Sequence, residues 1–514
     1  MILNGKSLSL DSIIAHIRDA KQKVELSETA WNAVRRSSEA CDEIVRSQKA
    51  CYGINLGFGE MIDIGISAEN LADLQKSLIL SHAVGVKQTL PVEISRTIFL
   101  LRLNSLANGA SGIRPETMEF LLNLYNAGAY PEIYQAGSLG ASGDLGPLAH
   151  FAAFTIGEGW GHYGGQRLRA SEIYRQIGLE PIKLERKEGL ALINGTSAMV
   201  AVAAHAVQRL RLYLEMTLLG MTLHLDCFRI PTEFVHVPAF RLKPHPGALY
   251  IAEFLDFLVT QFEAAEKTDK LPMQQVYSLR CVPFILGPLV ESLRSSVRTL
   301  TIEANSVSDN PIFLEGEDYP YHGAHFHGQP VSVTLDQLRI AAVHLSGVID
   351  RQLEFFLDRK RNPDINPFLA VSPQTGHCGL EGAQYLATSL HVENKALAHP
   401  ISPLVVPANA GNQDYVSMGM QAALKSLELA DNLKYIVGVY LCAALQAYSV
   451  KERSPSAPLL REITRALSEG VDFPYTDNRL FSELIDEIAD DERYEHCVSL
   501  LYQLNPELHA SMME

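Results

Sequence analysis

Six stretches of helical periodicity fill most of the chain beyond Gly195, through roughly 197–225, 247–267, 285–303, 334–359, 379–398 and 413–450. Several are twice the length of an average helix, which is about 11–12 residues. Helices that long bury their apolar stripes best along one another, so the pattern predicts a bundle. Pro-rich joints separate them at Pro231, Pro238, Pro244-His245-Pro246 and Pro400 to Pro407. Before Gly195 the texture is different. Asp11-Ser12 reads as the cap and first turn of a helix through Ile13, Ile14 and Ile17. Further short helices are expected after Ser27, from Leu71 to Leu80, and from Pro91 to Asn108-Gly109. The layout predicts a mainly α chain with a smaller mixed N-terminal domain over 1–195, a long-helix bundle over 196–453 and a helical tail over 454–514.

Composition excludes several classes. A chain of 514 residues exceeds the size at which one core stops growing. The net charge of −16 disfavours nucleic acid, whose phosphates would be repelled. Seven scattered cysteines without a Cys-x-x-Cys pair fit reduced thiols in a cytoplasmic protein. Met1 to Ser7 lacks a signal-peptide layout. The richest apolar stretch, Ala198 to Leu225, is broken by His205, Gln208, Arg209, Arg211 and Glu215, and no span is expected to cross a bilayer. A soluble protein with no membrane partner follows. The helix over 413–450 carries Tyr435, Ile436, Val437, Val439, Tyr440, Leu441 and Leu445 around most of its circumference, which predicts burial against other subunits.

The densest run of small residues is Gly137-Ser-Leu-Gly-Ala-Ser-Gly-Asp-Leu-Gly-Pro-Leu-Ala-His150. Four glycines in ten residues cannot make a stable helix or strand, because glycine loses too much backbone freedom there. A surface turn is the plain alternative. A serine nucleophile elbow, Gly-x-Ser-x-Gly, fails at its last position, where Asp144 stands. A third reading takes the residues together. Gly-Ser-x-Gly-Ala-Ser-Gly-Asp-Leu resembles the signature of the aromatic amino acid ammonia-lyases, which cyclise Ala-Ser-Gly into a 4-methylidene-imidazol-5-one.

That resemblance implies a mainly helical, fumarase/aspartase-like architecture and a homotetramer with shared active sites. It also implies an electrophile built from Ala141, Ser142 and Gly143, with no external cofactor and no metal. Four more segments carry it. Tyr52-Gly53-Ile54-Asn55-Leu56-Gly57-Phe58-Gly59 resembles the family's catalytic tyrosine loop, with Leu56 in place of the usual Thr. Tyr52 is then implied as the base that removes the β-proton. Its ordinary pKa is about 10, so service near neutrality requires a shift downward by positive charge or hydrogen bonds. Asn194-Gly195-Thr196 is similar to a segment that holds substrate or electrophile, although a helix N-cap is the ordinary use of such an Asn. Gln274 to Cys281 implies Gln274 and Tyr277 beside the substrate, with Tyr277 aiding proton movement at the electrophile. Arg280 suits a bidentate grip on the substrate carboxylate, with a surface ion pair as its plain alternative.

His322-Gly323-Ala324-His325-Phe326-His327 brings three histidines close together but no carboxylate cluster. It resembles the family's Gly-Gly-Asn-Phe-His-Gly, implying Phe326 as a pocket wall and His325 where Asn is usual. Substrate choice rests on conflicting signals. Ser81-His82 occurs in histidine lyases and in some tyrosine lyases and aminomutases; His82 suits an imidazole or a phenol equally. Gln413 stands where histidine lyases carry Glu, and a neutral amide is the tyrosine- or phenylalanine-type choice. Glu393 to Pro400 instead resembles histidine lyases. The expectation is elimination of ammonia from L-tyrosine, with L-histidine second and a tyrosine 2,3-aminomutase or a lyase for another β-aryl amino acid third.

Overall fold

A computed structural model describes residues 1–19, 21–59, 62–262 and 274–513. The tail of the second expected long helix, 263–267, lies outside the described residues. The chain divides into two compact units. One comprises Met1–His205, Val297–Asp336 and Pro400–Lys425; the other comprises Ala206–Ser296, Gln337–His399 and Ser426–Glu514. Residues 1–195 fall wholly in the first and 454–514 wholly in the second, whereas 196–453, expected as one bundle, is divided between the two.

The first unit is built on the helix Val92–Ala107, buried from Ile94 to Ala107. Helices Glu28–Ser47 and Pro115–Asn126 pack against it. Ser27 caps the former by accepting from the Ala30 N–H at 3.2 Å. The first helix, Leu10–Arg18, starts earlier than expected, because Ser9 and Ser12 form a reciprocal capping box. Strands here are few and short. Ile2–Leu3 pairs parallel with Glu25–Leu26, Val86–Thr89 antiparallel with Tyr134–Ala136, and Trp160–Tyr163 lies antiparallel between Tyr130–Pro131 and Gln166–Arg169. Leu145–Thr155, with three alanines and one glycine, packs closely on Leu71–His82 and on the short helix Glu188–Ile193.

The long periodic stretches fold as Ser197–Phe228, Pro246–Val259, Val282–Ala304, Gln329–Leu357, Glu381–Leu397 and Gly419–Val450. The last begins at Gly419 rather than near 413. Residues 412–418 are held outside it by pairing of Ala408 with Gln413 and by a left-handed Met418 (φ 54°). Two expectations change at this helix. Gly419–Val450 is long and apolar enough to cross a membrane, with a mean hydropathy of 1.3, yet 78% of that window is buried inside the fold. Second, Ile436, Val437, Val439, Tyr440, Leu441 and Leu445 are all buried within a single chain. In the second unit Tyr440 stacks on His224 at 4.5 Å and donates to Gln352, so helices of the same chain cover this face. Tyr435, alone of the seven residues expected on this face, stays exposed at 39%, so most of the face but not all of it is covered within the chain.

Candidate active site

The run from Gly137 folds as a closed turn rather than an open surface loop. Gly140 pairs with Gly143, and Gly143 pairs in turn with Gly195. Ser142 takes a left-handed φ of 55°, uncommon for a residue with a side chain, and Gly140 (φ 78°) and Gly143 (φ 73°) flank it. These glycines are obligatory for space as well as for φ. A Cβ on Gly143 would overlap the Gly195 carbonyl, and one on Gly140 would meet the Met418 nitrogen at 2.7 Å. Ser138 Oγ accepts from the Gly140 N–H at 3.3 Å, and Gln421 donates to the Ser138 carbonyl.

Asp144 ties this turn to the long helix behind it. Its N–H donates to the Gly195 carbonyl at 2.7 Å. Its carboxylate accepts from Ser138 Oγ at 3.1 Å and from the Met199 N–H at 2.7 Å, capping the first turn of Ser197–Phe228. Complete burial pushes its pKa up to about 7, against the pull of those hydrogen bonds, and the neighbouring Glu303 adds to the rise. Glu303 is itself raised by burial and accepts from Thr196 Oγ1 at 2.9 Å.

Asn194 is not the cap of the long helix. It ends the short helix Glu188–Ile193. Its amide nitrogen donates to Asp309 Oδ1 (3.2 Å) and to the Asn310 carbonyl (3.1 Å), which leaves the buried Oδ1 unpartnered among the described residues. Asp309 also receives Lys187, and both are fully buried. Beneath this turn lies Arg102, whose Nη1 donates to the Asn194 carbonyl at 3.0 Å.

Tyr52 sits in a loop closed by Ile54 and Asn55 N–H groups on the Cys51 carbonyl. Its ring packs edge-on to Phe58 (6.2 Å) and against His322 (6.3 Å). Burial raises its pKa, a hydrogen bond from the Gly59 backbone opposes the rise, and the Asp309 charge adds to it. This is opposite to the downward shift expected of a base near neutrality, because desolvation penalises the phenolate.

The three nearby histidines diverge. Cys51 Sγ lies 3.8 Å from His322 Nε2, His325 faces Tyr321 edge-on at 5.7 Å, and His327 Nε2 donates to the Tyr415 carbonyl at 3.1 Å. Among the described residues, no group of three His, Cys, Asp or Glu side chains is placed to hold a metal ion. Phe326, between two of them, is half-buried.

Gln413 reaches the turn directly. Its amide Nε2 donates to Ser142 Oγ at 3.0 Å, and Ser417 Oγ touches the Gly140 carbonyl at 3.5 Å. His82 ends the helix Leu71–His82, where its Nδ1 bonds the Leu78 carbonyl at 2.8 Å. That bond fixes the proton on Nδ1 and leaves Nε2 an acceptor.

The remaining expected residues belong to the second unit. Gln274 is exposed. Tyr277 is 68% exposed at the start of the four-residue helix Tyr277–Arg280. The Arg280 guanidinium lies over the Tyr277 ring at 4.8 Å, and its buried Nε has no partner among the described residues.

Sequence reasoning passed over Asp144, Arg102, Lys187, Asp309 and Glu303. A signal existed for Arg102, a lone cation in Ile98-Phe99-Leu100-Leu101-Arg102-Leu103. For Asp309 it was the turn-forming Ser308-Asp309-Asn310-Pro311.

With this geometry in place, the chain can be set beside known proteins. Residues 8–469 match the family model described as aromatic amino acid lyase. A histidine ammonia-lyase from Natranaerobius thermophilus is 36% identical over 94% of this chain and 95% of its own length. A tyrosine 2,3-aminomutase from Myxococcus fulvus is 39% identical over 85% and 86%. The crystal structure of histidine ammonia-lyase from Trypanosoma cruzi superposes with a TM-score of 0.91 at 29% identity, covering 100% of this chain and 96% of that one.

Proposed function

The chain belongs to the aromatic amino acid lyase family and is a carbon–nitrogen lyase, and on that premise we propose that it eliminates ammonia from L-tyrosine to give p-coumarate. The observation that carries this reading is the position of the neutral Gln413 amide beside residue 142 of the glycine-cradled turn, 3.0 Å from the Ser142 Oγ that cyclisation would expel. It joins the tripeptide to the residue that bears on substrate choice. A carboxylate at that position would pair with an imidazole, since charge-assisted bonds are roughly twice as strong as neutral ones. Gln offers no charge.

The tripeptide fits the methylidene-imidazolone. Ser142 and Gly143 already have left-handed backbones, and Gly143 lies so close to Gly195 that no side chain fits between them. Once formed, the group supplies an electrophile for the substrate amine that no ordinary side chain provides. This chain's residues do the rest. Tyr52 takes the β-proton. Arg280 holds the carboxylate through its paired N–H groups. Asn194 Oδ1 and His82 Nε2 are the acceptors open to substrate donors, and a phenol hydroxyl suits the latter. Phe326 and Gln274 border the substrate, and Tyr277 assists proton movement at the electrophile.

L-Histidine, giving urocanate, is the second reading, favoured by the resemblance of Glu393 to Pro400. Asn394 in that segment is fully buried and accepts from Asn432 at 3.0 Å, a packing role, so Gln413 weighs more. A tyrosine 2,3-aminomutase, in which released ammonia re-adds, is third. The proposed assembly is a homotetramer with shared sites, supported by exposed Ile302, Val333, Ile340, Tyr385 and Val392. A cytoplasmic setting, apart from membrane and nucleic acid, is proposed with it; the seven cysteines are all free.

A panel assay decides the substrate. Equal concentrations of L-tyrosine, L-histidine and L-phenylalanine are followed for coumarate, urocanate and cinnamate, with chromatography for β-amino acids. Coumarate as the fastest product is expected. Faster urocanate overturns the tyrosine reading, and β-tyrosine as the main product replaces the lyase by the mutase.

A further inference from the structure

Arg102 is among the largest fully buried side chains in the first unit. A guanidinium without water is costly unless something repays its desolvation. Burial lowers its pKa to about 10, opposed by the Asp309 charge, so it stays a cation near neutral pH. Of its nitrogens, Nη1 donates to the Asn194 carbonyl, while Nε and Nη2 are unpartnered among the described residues. A buried cation is thus directed at one main-chain carbonyl.

That carbonyl is the hinge of the electrophile turn. The next residue is Gly195 (φ 152°), where a Cβ would collide with Arg102 Nη1 and lie 2.5 Å from Ser308 Oγ. Gly195 in turn pairs with Gly143, and its own carbonyl accepts from the Asp144 N–H. Arg102 therefore holds, through the Asn194–Gly195 peptide, the two residues that end the Ala-Ser-Gly turn.

We propose that Arg102 is a positioning residue for cyclisation of Ala141-Ser142-Gly143, acting through the Asn194–Gly195 backbone; this rests on the reading that the tripeptide cyclises. In that step the Gly143 nitrogen bonds to the Ala141 carbonyl carbon. The Ala141 oxygen leaves as water with the Gly143 and Ser142 amide protons. The Ser142 hydroxyl leaves as a second water with the Cα proton. Two waters are lost, and no oxidant or reductant is needed. An amide nitrogen is a weak nucleophile, so the reaction depends on a backbone that cannot relax away from the closed turn. Removing the Arg102 bond frees the Asn194 peptide plane to rotate and releases Gly143.

The test reads the chemistry without reading activity. Wild-type, Arg102→Lys and Arg102→Met proteins are purified, the fraction with wild-type circular dichroism is kept, and intact mass is followed for loss of two waters. The wild type is expected to be dehydrated. Arg102→Met should dehydrate more slowly by roughly tenfold or more, as for loss of a charged hydrogen bond. Arg102→Lys, which keeps the charge without the fork, should fall between, and it decides the matter if the Met variant does not fold. Dehydration of the folded variants at the wild-type rate overturns the role of Arg102. A wild type that has lost no water overturns instead the proposed electrophile, whatever the variants do.

Discussion

Ser142 and Tyr277 both stand in short irregular segments, and their surroundings differ in kind. Ser142 lies in a turn bound to Gly195, Ser138, Ser417 and Gln413, with a left-handed φ uncommon for a residue with a side chain. Tyr277 stands 68% exposed on a four-residue helix beside an arginine whose Nε is unpartnered among the described residues. A group made from main chain has to be assembled by the fold itself, because cyclisation needs a closed, immobile backbone. Side chains that grip a substrate can stay open until the substrate arrives. The first arrangement is completed within one compact unit, whereas the second has polar and aromatic surface left for ligand or partner.

The widest separation between the two regions comes from Ser142→Ala. It removes the hydroxyl that the proposed cyclisation expels and should cut turnover on the order of 10⁴-fold, about 5.5 kcal/mol in barrier, with the elution volume unchanged. Size-exclusion chromatography and a product assay check both halves. Tyr52→Phe comes next, with a loss of roughly 10³-fold if Tyr52 is the general base. Because burial and Asp309 raise the Tyr52 pKa, the reactive phenolate grows with pH. The wild-type kcat/KM should therefore climb through neutrality into the alkaline range, and the Phe variant should lack that limb.

Arg280→Met probes the open region. Loss of a charged hydrogen bond to the carboxylate should lower kcat/KM by roughly 10–100-fold, mainly through KM. A fall in kcat alone would assign Arg280 to the chemistry and blur the contrast. The smallest effect is on stability. Burial raises the folded pKa of Asp144 to about 7, from an ordinary value of 3.8. Its stabilising contribution is thus full below about 4 and lost as pH rises through 7. The advantage of wild type over Asp144→Asn, from urea midpoints, should be greatest near pH 4 and shrink toward pH 7. A gap that widens instead would place the charged carboxylate among the stabilising groups.

Much of the architecture was legible in the residues. Periodicity located the long helices because each keeps one face apolar over many turns, and Ser27 marked a start because its hydroxyl accepts a free helix N–H. The glycine run pointed to the turn for the reason the fold bears out, since Gly140 and Gly143 occupy positions closed to a Cβ. What went astray depended on distant partners. The apolar circumference of Gly419–Val450 suggested other subunits, but helices of the same chain cover most of it and leave Tyr435 exposed. Tyr52 was expected to be shifted downward, and burial beside Asp309 moves it upward. Arg102 is a single letter in an apolar helix until the fold brings Asn194 to it across ninety-two positions.

The sequence alone determined where the chain bends, which segments are helical and which tripeptide is free of bulk, because these follow from local sterics and from the spacing of apolar side chains. Only the tertiary structure decided which buried charge faces which carbonyl, which hydroxyl Gln413 reaches and which way each ionisable group shifts. Those depend on burial and on partners far apart in the chain, and no local pattern encodes them.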